Sequence, residues 1–201
     1  MTYRVMTVCT GNICRSPMAE VVLRERFEAA GLGDLVVVDS SGVSDEEHGN
    51  PVDRRARAVL AAHGYSTGDG HRARQVTPAD LASRDLVLAM TAHHARRLRA
   101  LAPGRVADTP VGAASEPAAG GVAGTASEIR MYRSFDPAAP AVPPGGSEHV
   151  LDVEDPWYGG HDDFETCLAE VEAAADGVVA FVRAELARTG RNPRLAEDAT
   201  A

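Results

Sequence analysis

The chain has 201 residues, 44% of them hydrophobic and 4% aromatic, with a formal net charge of −9. That length suits one domain, or one domain carrying an insertion, with enough apolar mass for a core. The acidic balance argues against nucleic acid and membrane surfaces as partners, and all the cations other than His are Arg.

Met1-Thr2-Tyr3-Arg4 leads straight into a short apolar run, which is no signal peptide, and no apolar run is long enough to cross a bilayer. Three sparse Cys without secretion signals read as reduced thiols in a cytoplasmic protein. No Cys/His spacing matches a structural zinc site.

Tyr3 to Val8 reads as a buried first strand. After the turn that follows, Ser16 is placed to cap a helix, with Pro17 in its first turn. Met18, Val22, Leu23 and Phe27 recur at helical spacing, and Gly31 and Gly33 end that helix. Leu35 to Val38 is a second strand, apolar without alternation, as strands covered on both faces are. Asp39 begins a polar loop to Asn50, and Pro51 opens a second helix through Ala61. Thr77-Pro78-Ala79-Asp80 has the cap, proline and acid of a short helix start. Leu86 to Ala89 is a third strand and Thr91 to Leu101 another helix, stopped by Pro103-Gly104. Within it, His93 and His94 are adjacent and cannot share one side, which argues against a metal site.

Pro110 to Ser127 is nearly all Ala, Gly, Val, Pro, Ser and Thr, and reads as a flexible insertion. Ile129 to Tyr132 suits a short fourth strand, and Pro137 to Gly146 a loop. Phe164, Leu168, Val171, Ala175, Val178, Val182 and Leu186 step by three and four along a long last helix. Gly177 inside it costs about 1 kcal/mol relative to Ala. The tail after Gly190 is expected to fray. Strands alternating with helices predict an α/β fold: a parallel four-stranded sheet, helices on both faces, and a ligand at the strands' carboxyl ends.

The turn Cys9-Thr10-Gly11-Asn12-Ile13-Cys14-Arg15 lies at such an end. Backbone N–H groups of a tight turn and a helix N-terminus converge on an anion. Gly11 relieves the turn of a Cβ, and Arg15 offers a planar fork for two phosphate oxygens. The same positive field favours the Cys9 thiolate, the nucleophilic form. Cys-x5-Arg alone is a weak pattern; the strand before it and the helix after it sharpen it.

Cys9 to Pro17 resembles the signature of the low-molecular-weight protein tyrosine phosphatases. The resemblance continues in Asp39-Ser40, Gly49-Asn50-Pro51, His71-Arg72-Ala73-Arg74-Gln75, Ser134-Phe135-Asp136-Pro137, Glu154-Asp155-Pro156-Trp157-Tyr158-Gly159-Gly160 and Asp163-Phe164-Glu165-Thr166. It covers nearly the whole chain except the insertion, and implies one three-layer, Rossmann-like phosphatase domain over 1–190 with a tail at 191–201. It also implies hydrolysis of a phosphotyrosine protein or peptide, inorganic phosphate as product, no cofactor and no metal; a monomer is the default.

Residue by residue, the resemblance makes Cys9 the nucleophile of a phosphocysteine intermediate and Arg15 the phosphate clamp. Asp155 becomes the general acid, then the base for the attacking water. Thr10, Gly11, Asn12, Ile13, Cys14 and Ser16 surround the phosphoryl group, and Ser40 and His71 support the loop. Ser16 matches the hydroxyl that stabilises the departing thiolate. Trp157 and Tyr158 resemble the aromatic pair that walls the substrate ring. Cys14 matches a thiol that pairs with the nucleophile under oxidation, while Cys167 falls on the apolar side of the last helix.

Two departures stand out. Glu46 occupies a position where many members carry an aromatic at the mouth of the site, and Thr91 one where many carry Asp after Met.

Three other readings share these residues. Protein-arginine phosphatases on this fold tend to carry Thr in place of Ile13 and lack the second aromatic, Tyr158. Arsenate reductases need a further redox Cys pair, which this chain lacks. A non-catalytic phosphate-binding module would be expected to have lost Cys9, Arg15 or Asp155.

Overall fold

The computed structural model describes residues 2–102 and 127–191. Four strands, β1 (Tyr3–Cys9), β2 (Val36–Gly42), β3 (Leu86–Ala89) and β4 (Glu128–Met131), form one parallel sheet in the order β2-β1-β3-β4. Five α-helices join and follow them: α1 (Arg15–Ala29), α2 (Arg54–Ala62), α3 (Pro78–Ser83), α4 (Ala92–Leu101) and α5 (His161–Arg188). The expected α/β architecture is the one observed.

The strand residues that face the two helical layers are mostly apolar, because each face of the sheet meets its own helices. Val5, Val36, Val38, Leu86 and Leu88 pack with α1, α2 and α5. Their sequence neighbours Met6, Val8, Val87 and Ala89 pack with Leu81 of α3 and Ala92, Ala95 and Leu98 of α4. From β1 the chain goes to β2 on one side and then to β3 on the other. The carboxyl end of β1 is therefore the switch point where open α/β sheets leave a crevice.

Several boundaries differ from the sequence reading. Asp39 to Gly42 continues β2 rather than opening a loop. Its polar side chains find tertiary partners: Asp39 pairs with Arg74 and Arg84, and Ser40 bonds Asn12 and Glu20. Helix α2 starts at Arg54 rather than Pro51, because the Asp53 carboxylate accepts from Arg55 N and sets the cap there. Ser16 does not cap α1; it lies in the first turn with its hydroxyl on Cys9, and the cap residue is Cys14, with no side-chain bond. The capping box at Thr77 and Asp80 forms as expected.

Gly177 has a packing reason: a Cβ there would sit 2.1 Å from the Phe135 carbonyl oxygen. The expected insertion at 110–127 lies outside the described residues except for Ser127, whose hydroxyl donates to Arg84 O at 2.7 Å. The expected tail is likewise outside them except for Arg191, which pairs with Asp85. Among the described residues no helix is long and apolar enough to cross a membrane.

Candidate active site

β1 delivers Cys9 to the sheet's edge, and the chain then curls into α1. The turn is made by Asn12, not Gly11: Asn12 holds φ of 61°, the left-handed region that Asn tolerates. Gly11 serves a different need, since a Cβ there would meet Glu47 Cγ at 2.8 Å. Gly42 matters more. It is paired with Cys9 across the sheet, and a Cβ on it would lie 2.4 Å from Thr10 O.

The buried Asn12 side chain is the hub of the turn. Its Nδ2 donates to Ser16 Oγ (3.0 Å) and Ser40 Oγ (2.8 Å), and its Oδ1 accepts from Arg74 N (3.0 Å). Its carbonyl meets His71 Nε2 at 2.7 Å. Ser40 passes the chain on to Glu20 at 2.5 Å. The structure thus brings Asn12, Ser16, Ser40 and His71 together around one loop.

Cys9 Sγ lies 3.0 Å from Ser16 Oγ, and Ser16 Oγ lies 3.2 Å from Ser41 O. A hydroxyl has one proton. With Cys9 as a thiol, Ser16 can donate to Ser41 O; with Cys9 as thiolate, Ser16 must donate to sulfur. Helix α1 adds its uncapped N-terminal dipole beside the same sulfur. Cys14 is also buried and free. Burial, and then the nearby Asp53 carboxylate, push its thiol well up, so it stays protonated. Cys167 is buried in the core among α5 residues.

Arg15 is nearly enclosed, its side chain 5% exposed, while Asp155 is 40% exposed. Arg15 donates to Val153 O at 3.2 Å, Thr10 Oγ1 at 3.3 Å and Asp155 Oδ2 at 2.5 Å. Its Nε is buried with no partner among the described residues. Asp155 caps the short 3-10 turn Pro156–Tyr158 by accepting from Trp157 N. The far end of the chain thereby folds over the first loop. A cleft of about 280 Å³ opens between them, lined by Cys9, Thr10, Gly11, Ile13, Cys14, Arg15, Asp155, Trp157 and Tyr158. Glu46 and Glu47 line its mouth, and Tyr158 stands 93% exposed at the rim.

Two residues that sequence reasoning passed over complete the site. Arg55 lies against the Trp157 and Phe164 rings, 5.3 and 4.7 Å from their centroids. It donates to Trp157 O at 3.0 Å and Gly159 O at 3.2 Å while Asp53 holds its other side. Asp53 N in turn bonds Ile13 O, so one ion pair joins both loops. The motif Asp53-x-Arg55 carried no sequence signal beyond charge. His94 was set aside with His93 as a failed metal pair, yet it is buried and reaches Thr10 Oγ1 at 3.0 Å. Burial first, and then Arg15, lower its pKa to about 3, so the imidazole is neutral.

Comparison with known proteins agrees with this geometry. The family model described as low molecular weight phosphotyrosine protein phosphatase matches residues 4–109. The chain is 47% identical over 186 residues to a low molecular weight protein-tyrosine-phosphatase of Streptomyces coelicolor, covering 92% of this chain and 97% of the relative. It is 44% identical to low molecular weight protein-tyrosine phosphatase A of Mycobacterium tuberculosis, covering 92% and 95%. Among solved structures, YfkJ from Bacillus subtilis superposes with a TM-score of 0.72 at 28% identity, over 92% of this chain and 97% of that one. The low molecular weight protein tyrosine phosphatase from T. tengcongensis gives 0.66 at 28%, over 89% and 99%. With a strand, tight turn and helix at its centre and relatives aligned along nearly its full length, the chain belongs to the low molecular weight phosphotyrosine protein phosphatase family.

Proposed function

We propose that the protein hydrolyses protein tyrosine phosphate through a phosphocysteine on Cys9. The observation that carries this is the meeting of Cys9 with Ser16 at a helix N-terminus, in the cleft that also holds Arg15 and Asp155. The phosphoryl dianion enters between loop amides and Arg15, whose unpaired Nε gains an acceptor. A dianion on Arg15 competes with Asp155 for the guanidinium and releases the carboxyl toward the leaving group. The Cys9 thiolate attacks phosphorus in line, the P–O(aryl) bond breaks, and Asp155, having left Arg15 and taken a proton from solvent, gives that proton to the phenolate. Water then attacks the phosphocysteine, Asp155 takes its proton, and sulfur leaves as thiolate onto the Ser16 hydroxyl. Trp157 and Tyr158 wall the aryl ring, and Thr10, Gly11, Ile13 and Cys14 frame the phosphoryl group, while the buried Asn12 side chain holds the loop from behind. Three free, buried thiols suit the reducing cytoplasm as the place of action.

The test is hydrolysis of phosphotyrosine and phosphoarginine peptides by the pure protein. Turnover of the first, little of the second, and inhibition by vanadate are expected. Turnover of phosphoarginine alone would transfer the reading to that substrate, and turnover of neither by folded protein would overturn it.

A further inference from the structure

Thr10 Oγ1 is a shared atom. It accepts from Arg15 NH2 at 3.3 Å on one side and meets His94 Nε2 at 3.0 Å on the other. Thr10 also lines the cleft. His94 sits in the first turn of α4 with its ring buried, and its Nδ1 lies 2.9 Å from Thr91 Oγ1, the cap that also accepts from His94 N at 3.2 Å. The imidazole therefore spends both nitrogens on hydroxyls, one belonging to the helix cap and one to the anion-binding loop. His94 itself lies behind the cleft, and its contact with the loop runs through the Thr10 hydroxyl.

Proton counting narrows what this contact does. A neutral imidazole has one donor and one acceptor, and a threonine hydroxyl one proton. In one arrangement Nδ1–H donates to Thr91 and Thr10 donates to Nε2. In the other, Thr91 donates to Nδ1 and Nε2–H donates to Thr10, leaving the Thr10 proton free to point into the cleft. Thr10 Oγ1 remains an acceptor for Arg15 in both. The second arrangement adds a donor where phosphoryl oxygens would lie. The neighbourhood is also tied to the acid loop, since Ala92 N donates to Asp152 Oδ1 at 2.7 Å and Val153 O accepts from Arg15.

We infer that His94 is a positioning residue of the phosphate site, holding the Thr10 hydroxyl so that it steers Arg15 onto the phosphoryl group. This rests on the phosphatase reading, but binding of inorganic phosphate tests it without turnover. Phosphate affinity is measured by calorimetry, and kcat and KM on an aryl phosphate, for His94→Leu, His94→Gln, Thr10→Val and the double variant His94→Leu/Thr10→Val. Thermal unfolding is followed for each.

The expected result is about a tenfold loss of phosphate affinity and of kcat/KM in His94→Leu, from one misdirected hydrogen-bond chain. Glutamine, which keeps an amide donor and acceptor, recovers most of it. In the Thr10→Val background, His94→Leu adds little, because the hydroxyl it holds is already gone. Unchanged phosphate affinity in folded His94→Leu would overturn the inference, and so would losses that multiply in the double variant. Should His94→Leu fail to fold, His94→Gln decides: phosphate affinity as weak as that of Thr10→Val overturns the inference. If the parent hydrolyses nothing yet these binding differences appear, the proposed activity falls and the positioning role stands.

Discussion

Replacing Asn12 tests whether the loop is held by one hub. Asn12→Ala removes two side-chain donors, to Ser16 and Ser40, and the acceptor for Arg74 N. Three such bonds contribute about 1 kcal/mol each, and stranding Arg74 N–H adds about 1 kcal/mol more. Alanine also tolerates φ of 61° less well than asparagine, at a further cost of ~1 kcal/mol. Because these terms share one loop and do not simply add, a loss of about 3–5 kcal/mol is expected. That is a large part of the ~5–15 kcal/mol that holds a domain together. The assay is urea unfolding of Asn12→Ala and Asn12→Gly alongside kcat/KM on an aryl phosphate. Glycine relieves the backbone strain but not the lost bonds, so it should be no less stable than alanine while remaining as inactive. An Asn12→Ala protein within about 1 kcal/mol of the parent, with kcat/KM unchanged, would refute the hub.

Ser16→Ala should leave binding of inorganic phosphate nearly intact and lower kcat by roughly tenfold to a hundredfold, since it removes one donor from the departing thiolate. Stopped-flow traces should then show a burst of released aryl alcohol followed by a steady state slower than the parent's. Arg55→Leu should loosen the Asp155 loop, with kcat falling about tenfold for the ~1.4 kcal/mol of lost orientation; a fluorescence shift of Trp157, the one tryptophan in the chain, reports the movement. Unfolding stability should rise with pH between about 3 and 6.5 on account of His94, whose folded pKa is lowered to about 3. The unfolded chain binds that proton across this window and the folded one does not, so the contribution is complete above the window and lost as pH falls through it. The slope approaches ~1.4 kcal/mol per pH unit, and His94→Gln should remove it in matched unfolding series.

The strands and the loop were legible because their signals are local. Val5 to Val8 apart from Thr7, Val36 to Val38 and Leu86 to Ala89 are apolar runs, and Cys9 to Pro17 carries its own chemistry in one stretch. What escaped was held by partners distant in the chain. Nothing local says that β2 continues through Asp39 to Gly42, since its polar residues are satisfied by Arg74, Arg84 and Asn12. Ser16 looked like a cap because Ser-Pro before an apolar periodic run usually is one; its hydroxyl is instead committed to Cys9. Arg55 and His94 were unreadable for the same reason, each gaining meaning from a contact roughly a hundred residues away in the case of Arg55 and Trp157, and with Thr10 in the case of His94. Asp155, Trp157 and Tyr158 were identified only through family resemblance, and the fold places all three on the cleft.

The most direct measurement of the central claim is rapid quenching of the protein with an aryl phosphate, followed by mass spectrometry of its peptides. One phosphoryl group on the peptide bearing Cys9, absent in Cys9→Ser, is the expected result. Phosphoryl label on any other residue, or unimpaired turnover by Cys9→Ser, would contradict the account.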